Sequence, residues 1–227
     1  MVLNKKTLSD QIYHILKMEI LTGETPFGSK LVNRALQERF GVSSSPIRDA
    51  INRLYQDGLI SSIEKTGATV VEFDYEFFLE VHEVLLHIVM TGIKLSSEKA
   101  NPDEVVKYLE KYIDLQKTNI KTDAYYDYDY KFHKTFIDFS YNSRLKKLFK
   151  EYNVLHEMLV RNTFFIKTPD TKQGSINMHK KIADAYKKRD FELALKLTEE
   201  HYKEADRLFK KTLKQRKMDD NIKENMI

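Results

Sequence analysis

Five of the seven glycines, Gly23, Gly28, Gly41, Gly58 and Gly67, fall within the first 70 residues, and only Gly92 and Gly174 follow. Glycine punctuates turns and helix ends because it enters left-handed backbone without steric cost. A chain punctuated this way is built of short elements first and long ones afterwards, with the change near Glu72–Tyr75. At 227 residues it is long enough for two compact domains. The expected division is a first domain over residues 1–73, a second over 74–217 and a short tail over 218–227.

In the first domain, Ile12, Ile15, Leu16 and Ile20 recur at helical spacing up to Gly23. A Pro26–Gly28 turn leads to an expected second helix over about Leu31–Phe40. Gly41-Val42-Ser43 then reads as a tight turn, and a serine-capped third helix runs to about Gln56, stopped by Asp57-Gly58. Leu59–Ile63 and Ala68–Val71 read as a β-hairpin with Gly67 at its tip. Three short helices and a hairpin form the winged helix-turn-helix layout, whose third helix is slim enough to enter a major groove. Ile47, Ile51 and Leu54 give that helix a buried face, while Ser43, Ser44, Ser45, Arg48, Asn52 and Arg53 supply donors for base edges. Lys65 and Thr66 on the wing suit phosphates or a minor groove.

Charge alone does not announce this role. The net charge is only +4, and residues 1–72 carry 9 Lys+Arg against 8 Asp+Glu, so no strong basic field supports it. The absence of cysteine excludes disulfides, thiolate metal sites and cysteine nucleophiles. The opening Met-Val-Leu-Asn-Lys-Lys lacks the apolar core of a signal peptide, and the apolar stretch around Val84–Met90 is too short to span a bilayer. A cytoplasmic protein with no membrane partner is therefore expected.

What decides the matter is the run from Leu31 to Leu54, with Gly41-Val42-Ser43-Ser44-Ser45-Pro46-Ile47-Arg48-Asp49-Ala50-Ile51 at its centre. It resembles the DNA-binding domain of GntR-family regulators, whose recurring phrase is Gly-Val-Ser-Arg-Thr-Pro-Val-Arg-Glu-Ala-Leu. Gly58-Leu59-Ile60 and Gly67 match the places that follow it, and the likeness covers about residues 8–72. The resemblance implies that Arg34, Arg48 and the wing around Gly67 lie at the DNA. Ser44 departs from the pattern, standing where the family usually has arginine; that removes a candidate bidentate contact and bears on operator sequence or affinity.

Beyond residue 75 the pattern is all helical, with Asn101-Pro102-Asp103-Glu104 a strong helix start. Six helices are expected, near residues 75–98, 102–120, 123–140, 143–165, 171–188 and 190–215, followed by a frayed end. The fold class is thus mainly α: the winged helix-turn-helix followed by an antiparallel bundle of six or seven helices. Asp129 and His133 stand four apart on one helical face, and His179 and His201 lie on the last two helices. His201 shares a stripe with Ala194, Leu197, Ala205 and Leu208, which turns it inward. One carboxylate and three imidazoles suit a borderline divalent ion such as Zn²⁺, Ni²⁺ or Mn²⁺. Packed core histidines account for the same spacing without a metal, and His14, His87 and His156 are read as structural.

This region resembles the FCD ligand-binding domain of the FadR subfamily, over about residues 76–215. Many members carry Asp-x-x-x-His on a middle helix and one histidine on each of two late helices, and Asp129, His133, His179 and His201 fall at those places. The resemblance implies a metal-containing member. His82 stands where an arginine that binds a carboxylate effector is common, so His82 and Arg161 are the candidate effector residues. The resulting expectation is a homodimeric transcriptional regulator on a near-palindromic operator, responding to a small organic acid or related metabolite. Two other readings use the same residues: a helical metalloenzyme built on the Asp/His set, and a metal-free regulator.

Overall fold

The computed structural model describes residues 7–72, 75–162 and 169–224, with side chains described up to Glu157 and again over residues 170–211. The chain divides near residue 74 into two units. Among the described residues there are nine helices and three strands.

The first unit opens with α1, Leu8–Thr22, started by a reciprocal capping box in which Thr7 accepts from the Asp10 amide and Asp10 accepts from the Thr7 amide. Gly23 closes it in the left-handed conformation at φ 80°. Strand β1, Lys30–Val32, comes before α2, Asn33–Phe40, and α3 spans Ser44–Gln56. Strands β2, Ile60–Glu64, and β3, Gly67–Val70, complete an antiparallel sheet of order β1-β3-β2. Leu16, Ile20, Ile47, Ile51, Leu54, Leu59 and Val70 are fully or nearly fully buried at the centre. At about 2 kcal/mol per large apolar side chain removed from water, this cluster holds the small unit together.

Three local expectations are corrected here. The expected second helix starts two residues late, because Lys30, Leu31 and Val32 pair with Thr69, Ala68 and Gly67. Tertiary pairing overrides local helical preference there. Ser43 occupies the N-cap of α3 but makes no side-chain capping hydrogen bond. Gly67 is not the tip of the hairpin, since the turn is Lys65–Thr66 and Gly67 is the first residue of β3. A Cβ at Gly67 would lie 2.2 Å from the Leu31 carbonyl oxygen, so glycine is required there by close backbone approach.

The second unit contains α4 Tyr75–Lys99, α5 Pro102–Thr118, α6 Ala124–Phe139, α7 Ser143–Asn162 as far as His156, α8 Pro169–Lys187 and α9 Phe191–Glu224. Helix α9 runs nine residues past the expected end near residue 215. The part of the fourth expected helix over residues 163–165 lies outside the described residues. Asn101 caps α5 through the Asp103 amide, with Pro102 in the first turn. Helix α5 packs on α6 and α8, α8 on α9, and α4 on α6 and α9. Gly92 lets α4 come close to α6: a Cβ there would lie 2.6 Å from Ile137 Cδ1 and 3.3 Å from the Phe136 carbonyl carbon. The buried stripe of α9 is Ala194, Thr198, Tyr202 and Phe209, one position round from the expected one, and this leaves His201 on its margin, half-buried. Among the described residues no helix is long and apolar enough to cross a membrane.

Candidate functional site

In the first unit, the face of α3 opposite Ile47, Ile51 and Leu54 carries Ser45, Arg48, Asp49 and Asn52, all exposed. Those positions recur at three- and four-residue spacing, so they form one stripe along the rod. Among the described residues Arg48 and Asn52 make no side-chain hydrogen bond or ion pair, and both are free to meet a ligand. Ser43 is exposed at the start of α3 and Ser44 is half-buried. Lys65 and Thr66 are exposed at the wing turn, whereas Gly67 is buried at its root. Arg34 is exposed on α2 and reaches Glu38 at 3.0 Å. Arg53 is committed elsewhere: its guanidinium lies 2.6 Å from Asp10 Oδ1 and 4.1 Å from the centre of the Tyr13 ring. It ties α1 to α3, and with the Thr7 hydrogen bonds as the larger cause it holds the Asp10 carboxyl down at about 2.

In the second unit, α6, α8 and α9 bring His133, His179 and His201 together, with one ring nitrogen from each within 4.8 Å of the others. Asp129 stands beside this trio, its Oδ1 3.8 Å from His179 Nε2. The rings are held by packing. Phe132, fully buried, stacks on His179 with centroids 4.1 Å apart, and His133 meets His179 edge-on at 4.9 Å.

A residue that the sequence reading missed completes the arrangement. Gln116 on α5 is fully buried, donates from Nε2 to Asp129 Oδ1 at 3.2 Å, and accepts at Oε1 from His179 Nδ1 at 3.0 Å. The signal was present, since Gln116 follows Val105, Leu109 and Ile113 at helical spacing and is an amide on an otherwise apolar face. Tyr125, one turn before Asp129 on α6, is buried, and burial followed by the Asp129 charge pushes its phenol well up. With His179 Nδ1 donating, its Nε2 carries a bare lone pair and faces His201 Nε2 at 3.2 Å.

These donors fit a divalent ion. Nitrogens about 2.1 Å from one ion lie roughly 3–4 Å apart; His179 Nε2 and His201 Nε2 are 3.2 Å apart, and with all three nitrogens within 4.8 Å a small inward shift of the rings brings the trio to ligating distance. His133 Nδ1 is buried without a hydrogen-bond partner, a costly state that an unmet ligand role explains. Burial first, and neighbouring histidines second, hold His133 and His179 well below the usual imidazole range, and burial takes His201 down to about 4. All three are thus neutral at pH 7, the protonation state that ligates metal. Among the described residues this trio is the only cluster of its kind.

His82 on α4 is buried, with Nδ1 2.6 Å from Asp206 Oδ1, a second participant the sequence reading did not name. Its ring stacks on Phe78 and His156, with centroids 4.8 and 5.4 Å away, and meets Tyr202 at a tilt with centroids 4.6 Å apart. His82 therefore neighbours the trio through Tyr202, which follows His201 in sequence and lies 6.0 Å from His133. The Arg161 side chain lies outside the described residues.

The depressed histidines set a pH dependence. In metal-free protein the folded state keeps these rings neutral while an unfolded chain binds protons below about pH 6.5. Stability is therefore complete above about 6.5 and is lost as pH falls toward the folded value of about 4 for His201 and about 3 for His156. Roughly 2–3 kcal/mol is expected to go from His201 alone between pH 7 and 4.5. Thermal melts across that range check this; a melting temperature flat from pH 7 to 4.5 contradicts it.

Comparison with known proteins bears on both units. Residues 8–70 match the family described as bacterial regulatory proteins, gntR family, and residues 80–204 match the FCD domain. The chain is 27% identical over 189 residues to YdhC of Bacillus subtilis (strain 168), an uncharacterized HTH-type transcriptional regulator, covering 81% of this chain and 83% of that one. It is 32% identical over 125 residues to the gluconate operon transcriptional repressor of Bacillus licheniformis, covering 54% of this chain and 51% of the repressor. Among solved structures, E. coli McbR/YncC superposes with a TM-score of 0.70 at 19% identity, over 94% of this chain and 100% of that one. A putative GntR regulator from Rhodococcus sp. RHA1 gives a TM-score of 0.72 at 16% identity, over 88% and 96%. Likeness at those identities shows a shared fold.

Proposed function

The chain belongs to the GntR family of bacterial regulatory proteins, with an FCD domain following its DNA-binding head, and from that premise we propose that it is a metal-dependent, effector-responsive regulator. It is a DNA-binding transcriptional regulator, not an enzyme; the finer reading concerns what it senses. The observation that carries it is the convergence of His133, His179 and His201 from three helices onto one point, beside Asp129.

In this reading Asp129, His133, His179 and His201 hold a divalent ion, Zn²⁺, Ni²⁺ or Mn²⁺, and join α6, α8 and α9. Bound there, the ion supplies positive charge and open coordination positions for a carboxylate or hydroxyl of the effector. A small hydroxy acid suits those positions, and the similarity to gluconate operon repressors points the same way. His82, paired with Asp206 and close to the trio through Tyr202, offers the effector a hydrogen-bonding contact where the family commonly has an arginine. The head reads DNA with Ser43, Ser44, Ser45, Arg48 and Asn52 on α3, with Arg34 on α2, and with Lys65 and Thr66 on a wing rooted by Gly67. A homodimer places two such helices about 34 Å apart on a near-palindromic operator.

The test is a fluorescence-anisotropy titration of a DNA fragment from the gene's own promoter, with metal-loaded and chelated protein. A coupling of about 1–3 kcal/mol shifts affinity 5–150-fold between the two forms. Equal affinity in the two forms would sink the metal-dependent reading and leave the DNA-binding assignment standing.

A further inference from the structure

Helix α5 offers no imidazole or carboxylate to the cluster, yet Gln116 reaches its centre. A primary amide has two unlike ends, and here each end is fixed by chemistry. An ionised carboxylate only accepts hydrogen bonds, so the end of Gln116 facing Asp129 Oδ1 at 3.2 Å is the NH₂ group. The other end is then the carbonyl oxygen, which only accepts. It faces His179 Nδ1 at 3.0 Å, so Nδ1 carries the proton. A neutral imidazole protonated at Nδ1 presents a bare lone pair at Nε2, the atom 3.2 Å from His201 Nε2 and 3.8 Å from Asp129 Oδ1.

We propose that Gln116 is a positioning residue that sets the tautomer of His179 from the ionised state of Asp129, so that His179 Nε2 is ready to ligate a divalent ion. The amide reads a negative charge at one end and assigns a proton at the other. Its complete burial protects both hydrogen bonds from competition by water. Phe132, stacked on the His179 ring, fixes the plane in which that tautomer is held. The inference rests on the metal-site reading for its consequence, but the tautomer itself is a property of the metal-free protein.

That separation makes the test decisive. In metal-free protein labelled at histidine with ¹⁵N, long-range ¹H–¹⁵N spectra report which ring nitrogen of His179 is protonated. Gln116→Met keeps the length and volume of the side chain but neither end of the amide. The wild type is expected as the Nδ1–H form, and the variant as a mixture or the Nε2–H form. Titration with Co²⁺ alone, followed by its visible absorption, is expected to show 10–100-fold weaker binding in the variant, the usual effect of losing a residue that orients a ligand. Far-UV circular dichroism checks that the variant is folded. An unchanged His179 tautomer in folded Gln116→Met overturns the proposal whatever happens to affinity, and so does an altered tautomer with unchanged Co²⁺ affinity. Failure of the wild type to take up Co²⁺ at all overturns the metal reading instead, and the ring spectra still decide the tautomer.

Discussion

Replacing Arg48 with alanine is expected to lower operator affinity at least 30-fold while leaving the melting temperature of the head unchanged. Arg48 is exposed in the middle of the polar stripe of α3 and makes no side-chain hydrogen bond or ion pair among the described residues, so truncation costs the fold little. At an operator the same guanidinium suits the two acceptors on a guanine edge, a contact worth about 1–3 kcal/mol. A dimer makes that contact twice, and a loss of about 2 kcal/mol already corresponds to roughly 30-fold. Binding to unrelated DNA, carried by phosphate contacts, falls much less. Arg53→Ala is the informative contrast. Arg53 holds Asp10 and lies over Tyr13, so its loss acts on the packing of α1 against α3 and lowers stability first. Anisotropy titrations with specific and random duplexes, alongside thermal melts, separate the two effects. Unaltered specific binding in Arg48→Ala would remove α3 from the groove.

The second large effect is on the helical unit. At a metal concentration 100 times the dissociation constant, binding to the folded state alone adds about 2.7 kcal/mol. For a unit of this size that amounts to roughly 5–10 °C in melting temperature. The increment is expected to vanish in His201→Gln. That position is chosen because His201 sits at the margin of the buried stripe, half-buried, and tolerates exchange better than fully buried His179. Differential scanning calorimetry with and without added Zn²⁺ or Mn²⁺ measures it. An equal increment in wild type and His201→Gln would place the ion elsewhere.

The parts that were readable in the sequence are those in which one residue decides one conformation. Gly23 and Gly41 end helices in left-handed backbone, and Asn101-Pro102 starts one. The grouping of His133, His179 and His201 was expected from the likeness to the FCD domain and not from spacing, and the inward stripe expected on the last helix was one position off. What escaped depended on partners far along the chain. Strand β1 exists because Leu31 pairs with Ala68, a relation that no window around Leu31 contains. Gln116 was visible as a polar residue at a core position, but its partners lie on α6 and α8. The pairing of His82 with Asp206 joins residues 124 positions apart. Arg53 shows the converse: periodicity offers it as a donor for DNA, and a carboxylate on α1 takes it.

The Leu31 carbonyl, 2.2 Å from where a Cβ at Gly67 would lie, has a consequence for how such heads diversify. The root of the wing is anchored by a steric constraint that one substitution cannot relax, while Lys65 and Thr66 just before it point into solvent. Length and chemistry can therefore change at the turn, by insertion or graft, without disturbing the sheet below, provided residue 67 remains glycine. In this fold the reach of the wing is separable from its attachment.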